Sequence, residues 1–459
     1  MTGARTATAP APAPPRLLSI AGPMFVELVL GIGVGVVGTM LAARLSDTDG
    51  AAFAVANHVL AMLFVLFRIV GAGVSVVVAQ SLGGGRREVA DAVARATLGA
   101  SSWVGAFAAL LALGGARPLL QLLNAPAELL PLAVPFLMAL APALMLDAWN
   151  ASMASVMRAH LRVRDTLAVI VVMHLCHLAG ALLLMPRFGL PGFALSLAIS
   201  RAIGLALHLW LWHERLDLLP RWGDWWRLPR AELAAVLRIG LPGAAENIAW
   251  RLAFMASVAV AGQLGASALA TQAYALQVNH VVLLFGLATG LSVEIVVGHL
   301  VGAGRLHDAH RLVRRALGLG LVVSLVVALA AALAGPWIMQ RFTRDEAIVA
   351  TGAVLIWWTV LLEPGRTFNL VVINALRATG DARFPVMAGA ASMLIVLAGG
   401  SWLLGIHFGL GLPGVWIAYA ADEWLRGLIM WRRWASHGWV PHARAAHRRL
   451  RRMKAGETT

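Results

Sequence analysis

Four carboxylates stand inside long apolar stretches of the chain: Glu27, Asp147, Glu246 and Glu363. A carboxylate removed from water resists ionisation and can exchange a proton near neutral pH, and its oxygens are also hard ligands for sodium. Residues of this kind suit reversible cation binding. They suit a structural or gating ion-pair network equally well, because Arg68, Arg251, Arg366 and Arg426 fall at similar depths in neighbouring apolar runs. Asn150, Asn247 and Gln277 are the neutral polar side chains available to orient the acids, and Arg251 and Arg366 are the basic ones nearest to them. Asp422 and Arg426, spaced i,i+4, read as a local helix pair. Glu294 and Glu423 complete the set of acids in apolar surroundings. Four further residues are expected to line a binding cleft. His58 offers a polar ring, and Trp149, Trp250 and Trp357 offer aromatic faces that attract cations.

Other signals point away from catalysis. The sole lysine is Lys454, so no phosphate-binding Gly-Lys loop exists, and no G-x-S-x-G or H-E-x-x-H occurs. Gly33-Val-Gly35-Val-Val-Gly38 matches a dinucleotide fingerprint but lies inside an apolar run without a strand before it. Gly31 and Gly35 fit close helix packing instead. His174 and His177 share a helical face without a third ligand, so no metal is expected. The single cysteine, Cys176, excludes an intramolecular disulfide. The expectation is a protein without enzymatic activity or cofactor.

The elements that hold these residues are membrane spans. Of the 459 residues, 60% are hydrophobic and 13% charged, against roughly a quarter charged in soluble domains. Apolar runs long enough to cross a bilayer recur near 18–44, 51–80, 93–115, 129–157, 165–186, 190–213, 239–264, 268–300, 312–335, 348–375, 383–406 and 412–435. If both termini are cytoplasmic, 27 Arg and Lys fall in inside segments and five in outside loops. This positive-inside bias accounts for the net charge of +15 without nucleic acid. The expected organisation is a disordered tail at 1–16, a six-helix lobe at 17–216, a cytoplasmic interfacial linker at 217–238, a second six-helix lobe at 239–436 and a basic cytoplasmic tail at 437–459. Trp222, Trp225 and Trp226 with interleaved arginines suit a helix at the membrane surface, and the basic tail suits anionic lipid.

The two lobes repeat. Shifted by 219, Gly22-Pro23-x-x-x-Glu27 meets Leu241-Pro242-x-x-x-Glu246, and Gln80-x-x-Gly83-x-Gly85-Arg86 meets His299-x-x-Gly302-x-Gly304-Arg305. A second shift brings Ala159 and Asp165 onto Ala375 and Asp381, and thereby Asp147 onto Glu363. Leu190-Pro191-Gly192 meets Leu412-Pro413-Gly414. Six spans per repeat is an even number, so both halves sit the same way up. The expected fold is all-α, twelve transmembrane helices in two parallel-repeat six-helix lobes around a central cleft.

These residues resemble the multidrug and toxic compound extrusion family. The markers are Val78-Ala-Gln80 with Gly83-Gly-Gly-Arg86, Gly298-His299 with Gly302-Ala-Gly-Arg305, and Leu376-Arg-Ala-Thr-Gly-Asp381. The resemblance spans roughly 18–435. It implies a V-shaped pair of lobes in a bacterial cytoplasmic membrane, acting as a monomer. It also implies export of small organic, often cationic, compounds against an inward flow of protons or sodium ions. The sequence departs from the family at Val37-Gly38-Thr39, where many members carry an acid in the first span, and at Trp250 and Arg366, where acids are common. A flippase or exporter of a lipid-linked or endogenous metabolite is the alternative on the same scaffold, and a flippase for lipid-linked intermediates would favour a basic cleft.

Overall fold

The computed structural model describes residues 17–455. Among them are twelve long helices, with one bent pair taken as a single span. The first lobe contains α1 (Leu17–Leu45), α2 (Asp47–Gly83), α3 (Arg87–Gly114), α4 (Leu130–Ala139 and Ala141–Ala159), α5 (Val163–Phe188) and α6 (Leu190–Leu216). The second contains α7 (Arg230–Gln263), α8 (Ala266–Gly302), α9 (Leu306–Leu333), α10 (Glu346–Ala378), α11 (Arg383–His407) and α12 (Gly411–Ala435). A last helix, α13, spans Val440–Ala455. Nine helices are long and apolar enough to cross a membrane alone, and α4, bent by 44°, makes ten. The other two, α7 and α12, carry Glu246 and Arg251, and Asp422, Glu423 and Arg426, inside their spans. Several charges inside one span thus lower the apolarity of α7 and α12, whereas α10 carries Glu363 and Arg366 and still qualifies.

Local chemistry sets several boundaries. Ser46 Oγ accepts from the Asp49 backbone N–H at 2.9 Å and caps α2. Asp345 Oδ1 accepts from the backbone N–H groups of Ala347 and Ile348 at 2.9 and 3.2 Å and caps α10. Pro191 stands in the first turn of α6, where its missing N–H costs nothing.

The lobes exchange the first turns of their leading helices. Ile20 and Met24 of α1 are buried with Val293, Val296 and Val297 of α8. Val236 and Ile239 of α7 are buried with Val70, Val74 and Val77 of α2. Backbone-to-backbone approach seals the same end of the molecule. A Cβ on Gly83 would stand 2.0 Å from the His299 carbonyl oxygen, and one on Gly302 would stand 2.0 Å from that of Gln80. Only glycine allows this crossing of α2 and α8.

One connecting segment differs from expectation. The residues 217–238 form no surface helix. One 3₁₀ turn at Trp222–Trp225 is followed by α7, which begins already at Arg230. The segment packs on α3: Trp103 Nε1 donates to the Trp226 carbonyl at 3.1 Å, and Gly99 lies against the Arg227 carbonyl. Of the linker's indoles, Trp225 packs on the protein, edge-on to Trp149, whereas Trp222 and Trp226 are exposed. The described part of the tail forms the helix α13 over Val440–Ala455. Arg86 Nη1 of the first lobe donates to the His447 carbonyl at 3.4 Å, and His442 Nε2 lies 3.8 Å from Asp381 of the second. The segment 1–16 lies outside the described residues.

Candidate functional site

The charges within the spans form two families of ion pairs, one in each lobe. Arg158 Nη1 donates to Glu27 Oε1 at 2.9 Å, joining α4 to α1. Arg377 Nη2 donates to Glu246 Oε2, joining α10 to α7. Both acids and both arginines are 219 residues apart, so the pairs are copies of one another.

The second pair is copied with its polarity reversed. In the first lobe Arg201 Nε of α6 stands 2.6 Å from Asp147 Oδ1 of α4. In the second, Arg366 Nε of α10 donates to Glu423 Oε1 of α12 at 3.2 Å. The acid in one lobe faces the position of the arginine in the other. This corrects the mating of Asp147 with Glu363. The helices α4 and α10 end at Ala159 and Ala378, so the 219-residue shift holds to their last turn and Asp147 corresponds to Arg366. The neighbouring amides obey the same register. Asn150 Nδ2 donates to the Arg201 carbonyl at 2.9 Å, and Asn369 Nδ2 donates to Glu423 Oε2 at 2.9 Å.

The second lobe adds charges that the first lacks. Arg366 Nη1 also donates to Glu363 Oε1 at 2.6 Å. Arg426 Nη2 pairs with Asp422 Oδ2 at 2.7 Å and with Glu423 Oε1 at 2.9 Å. The chain Glu363, Arg366, Glu423, Arg426, Asp422 therefore sets three carboxylates on two guanidinium groups. In the first lobe each acid has its own arginine. Glu363 is 1% exposed, and its Oε2 has no hydrogen-bond partner among the described residues. The excess negative charge is held away from water, where it demands a proton or a cation.

This chain borders a cavity of about 240 Å³ between α7, α8, α10, α11 and α12. Glu246, Arg366, Arg377, Asp422, Glu423 and Arg426 contribute charge, and Asn247, Asn279 and Asn369 contribute amides. Trp250 and Phe254 form an aromatic wall, stacked with ring centroids 5.1 Å apart and planes at 14°. Most of these positions lie near the middle of their helices, the depth at which transporters of paired repeats hold cargo.

The residues singled out from the sequence fall into two groups. Glu246, Asn247, Trp250 and Arg366 line the cavity, and Glu363 lies one contact behind it. Glu27, Asp147 and Asn150 belong to the first lobe's pairs. Two expected cleft residues, Trp149 and Trp357, lie elsewhere. Trp149 donates to Ser102 Oγ at 2.8 Å and packs edge-on against Trp225 of the linker. Trp357 is exposed on an apolar outer groove between α9 and α10. His58 is exposed, with Nδ1 2.8 Å from the Ala54 carbonyl one turn earlier, and Arg251 and Gln277 are exposed and outside the cavity lining. Glu294 is buried in α8 away from that lining. Nothing is described of the Arg68 side chain. Asp422 and Arg426 do pair, as expected, but as part of the larger chain.

Sequence reasoning missed two features. On α8 the inward-facing amides are Gln272 and Asn279, both 1% exposed, rather than Gln277. Their spacing of seven residues carries them to one helical face, a signal present in the sequence. The other is a change of helix type in α11, which winds as π-helix over Met393–Gly399 and Leu403–His407. Gly399-Gly400 weakens the helix between them. Leu397, in the first π segment, lines the cavity. The matching helix α5 is regular.

Two six-helix lobes related by an even-numbered repeat, joined at one end and carrying buried charge at mid-depth, define a secondary transporter. Comparison makes the assignment specific. The MatE family matches residues 23–183 and 242–402, and the chain belongs to this family of non-catalytic secondary transporters of small organic compounds. It is 30% identical to the uncharacterized transporter YisQ of Bacillus subtilis over 92% of this chain and 94% of that one. It is 24% identical to the multidrug resistance protein PmpM of Pseudomonas aeruginosa over 90% and 85%. The fold matches the bent form of the MATE transporter VcmN of Vibrio cholerae, with a TM-score of 0.85, 18% identity and coverage of 94% and 97%. It also matches a MOP superfamily transporter from Pyrococcus furiosus, described as having a binding pocket of reversed polarity, with a TM-score of 0.82, 17% identity and coverage of 95% and 96%. The architecture is the two-lobed, twelve-span one.

Proposed function

We propose that the protein is an antiporter that exports organic cations in exchange for protons or sodium ions, with both ligands handled in the second lobe. One observation carries this reading: three carboxylates share two arginines beside a mid-depth cavity. A proton or sodium ion neutralises the surplus charge, and so does a cationic cargo. Ligands that satisfy the same single charge exclude each other, and mutual exclusion is what an exchanger needs. The first lobe's pairs, Glu27 with Arg158 and Asp147 with Arg201, are balanced and act as structural ties. The acid surplus also disfavours the flippase alternative, whose pyrophosphate cargo asks for a basic cleft.

The positive-inside bias orients the protein with both termini in the cytoplasm of a bacterial cell. The sealed end at Gly83 and Gly302 is then the cytoplasmic one, and this arrangement is the outward-facing form. The test is uptake of a fluorescent organic cation into inverted membrane vesicles under imposed proton or sodium gradients. Glu363→Gln should abolish gradient-driven uptake, whereas Asp147→Asn should retain it in whatever protein folds. Gradient-driven uptake unchanged in Glu363→Gln would sink the proposal, whatever the first-lobe variants Glu27→Gln and Asp147→Asn do.

A further inference from the structure

We infer that the second-lobe cavity selects protonated primary and secondary amines of about single-ring size over quaternary ammonium ions of the same charge. The inference rests on the reading above only for the identity of the cavity as the cargo site.

Size comes first. A dry cavity of about 150 Å³ accommodates benzene. The 240 Å³ here holds one ring and a short arm. The stacked Trp250 and Phe254 offer the ring a parallel aromatic surface.

Hydrogen-bond chemistry then sets the class. Asn369 is 2% exposed, and its Nδ2 donates to Glu423 Oε2. That bond fixes the amide, because a carboxylate only accepts, and leaves Oδ1 as an acceptor without a partner among the described residues. Asn279, across the cavity on α8, is 1% exposed, and neither its Oδ1 nor its Nδ2 has a partner. Buried amide groups of this kind are nearly always paired in folded proteins. Two side chains of the cavity lining therefore hold acceptor oxygens that are buried and unpaired among the described residues, close to the surplus negative charge.

An R–NH₃⁺ or R₂NH₂⁺ group brings both the compensating charge and the N–H donors. A trimethylammonium group brings the charge alone. It leaves both amide oxygens buried and unpaired, and its methyl groups hold the charge farther from them. A site built to hydrogen-bond a ligand rejects the analogue that lacks the donors far more strongly than a greasy pocket rejects an extra methyl group. The counterparts of Asn279, Trp250 and Phe254 in the first lobe are Leu60, Gly31 and Gly35, so the repeat does not duplicate this specificity.

The experiment compares two cations of equal charge and the same ring by calorimetry on the full-length protein in detergent: 2-phenylethylammonium and its N,N,N-trimethyl analogue. In the wild type the amine should bind at least about tenfold more tightly, the loss expected when buried acceptors go unpaired. Asn279→Leu, close to isosteric, should bring the ratio below about threefold, mostly by weakening the amine. Asn369→Leu is the second variant, should the first fail to elute as a monodisperse species. Equal affinities in the wild type, or a ratio unmoved in both variants, would overturn the inference while leaving exchange intact in the vesicle assay. If neither cation binds and neither is transported, the reading of the cavity as the cargo site falls with it.

Discussion

Gln80 and His299 are two-fold mates that reach across the lobe interface in opposite directions. Gln80 Nε2 donates to the Ala378 carbonyl at 2.7 Å, and His299 Nε2 donates to the Ala159 carbonyl at 2.8 Å. The acceptors are themselves mates, each the last residue of its helix, α10 or α4. Each bond satisfies a carbonyl that the helix end would otherwise leave bare. Together with the Gly83 and Gly302 crossings, these bonds tie α2 to α8 and α10, and α8 to α4, through uncharged contacts, while Arg86 reaches α13 beside them. Polar bonds and backbone contact can be broken and remade without stripping water from a full charge, which suits a seam that opens in every cycle.

Gly83→Ala should open that seam. The added methyl would stand 2.0 Å from the His299 carbonyl oxygen, a clash with backbone that no side-chain rotation relieves. Overpacking of this kind costs about 1–3 kcal/mol, enough to move a two-state population from minor to major. Spin labels placed on the α2–α3 and α8–α9 turns should show a longer distance between lobes in Gly83→Ala than in the wild type. An unchanged distribution would mean that the glycine crossing does not hold the lobes together.

The linker should tolerate substitution at its exposed tryptophan but not beneath its backbone. Trp222 is exposed, whereas a Cβ at Gly99 would lie 2.0 Å from the Arg227 carbonyl oxygen. Trp222→Ala is expected to leave the melting temperature in detergent within about a degree, because exposed substitutions rarely exceed ~0.5 kcal/mol. Gly99→Val should lower it by several degrees and increase proteolysis between 217 and 230. Equal melting temperatures would show that the linker's seat on α3 contributes nothing.

Much of this architecture was legible because bilayer physics writes it into composition. A span must be apolar for about 20 residues and must end in polar turns, so the twelve spans are recovered to within a few residues at most ends. The copied pair Glu27–Arg158 and Glu246–Arg377 was half visible, since the acids repeat at a motif with proline. The short Ala-x-x-x-x-x-Asp similarity pairs Asp147 with Glu363, whereas the helix ends at Ala159 and Ala378, which become visible only in the fold, pair it with Arg366. The cavity was less legible still. Which face of a nearly all-apolar helix turns inward is decided by neighbours, so Gln277 drew attention that belonged to Gln272 and Asn279. Trp149 and Trp357 illustrate the same limit, because the indole that lines a site and the indole that packs on a linker or faces lipid are the same residue type.

Trp250 and Trp357 should now separate cleanly in function. Trp250 stacks on Phe254 in the cavity wall, and Trp357 lies on the outer groove. Aromatic contact beyond simple burial is worth ~0.5–1.5 kcal/mol. Trp250→Ala is therefore expected to weaken binding of an aromatic cation by roughly 2- to 12-fold, and Trp357→Ala to leave it unchanged. Titration calorimetry on both variants gives the comparison, and equal losses would place the aromatic contact elsewhere.

The helix α13 is expected to depend on one indole. Trp439 is fully buried, stacks on Trp434 with centroids 4.4 Å apart, and donates from Nε1 to the Trp434 carbonyl at 3.0 Å. Trp439→Ala removes the packing and strands that carbonyl, a loss of about 3–5 kcal/mol for a buried tryptophan. Hydrogen exchange over 440–455 should become fast in the variant while α10 and α12 stay protected. Uniform protection in both regions would show that α13 is held by the contact of His442 with Asp381 and by its contacts with Arg86.

The reversed pair offers the sharpest test of the repeat. Asp147–Arg201 and Arg366–Glu423 occupy corresponding places with opposite polarity, so a pair in this position is required but its direction is not. Asp147→Arg or Arg201→Glu alone leaves two like charges facing each other where each side chain is 13% exposed, and breaking a buried pair costs about 3–5 kcal/mol. The double variant restores attraction and reproduces the second lobe's arrangement in the first. A double-mutant cycle on unfolding in detergent should show both single variants strongly destabilised and the double variant recovering most of the loss, a coupling of several kcal/mol. Because the first lobe's acids are proposed as ties, the double variant should also keep gradient-driven transport. Recovery of stability without recovery of transport would instead give Asp147 a direct part in the exchange.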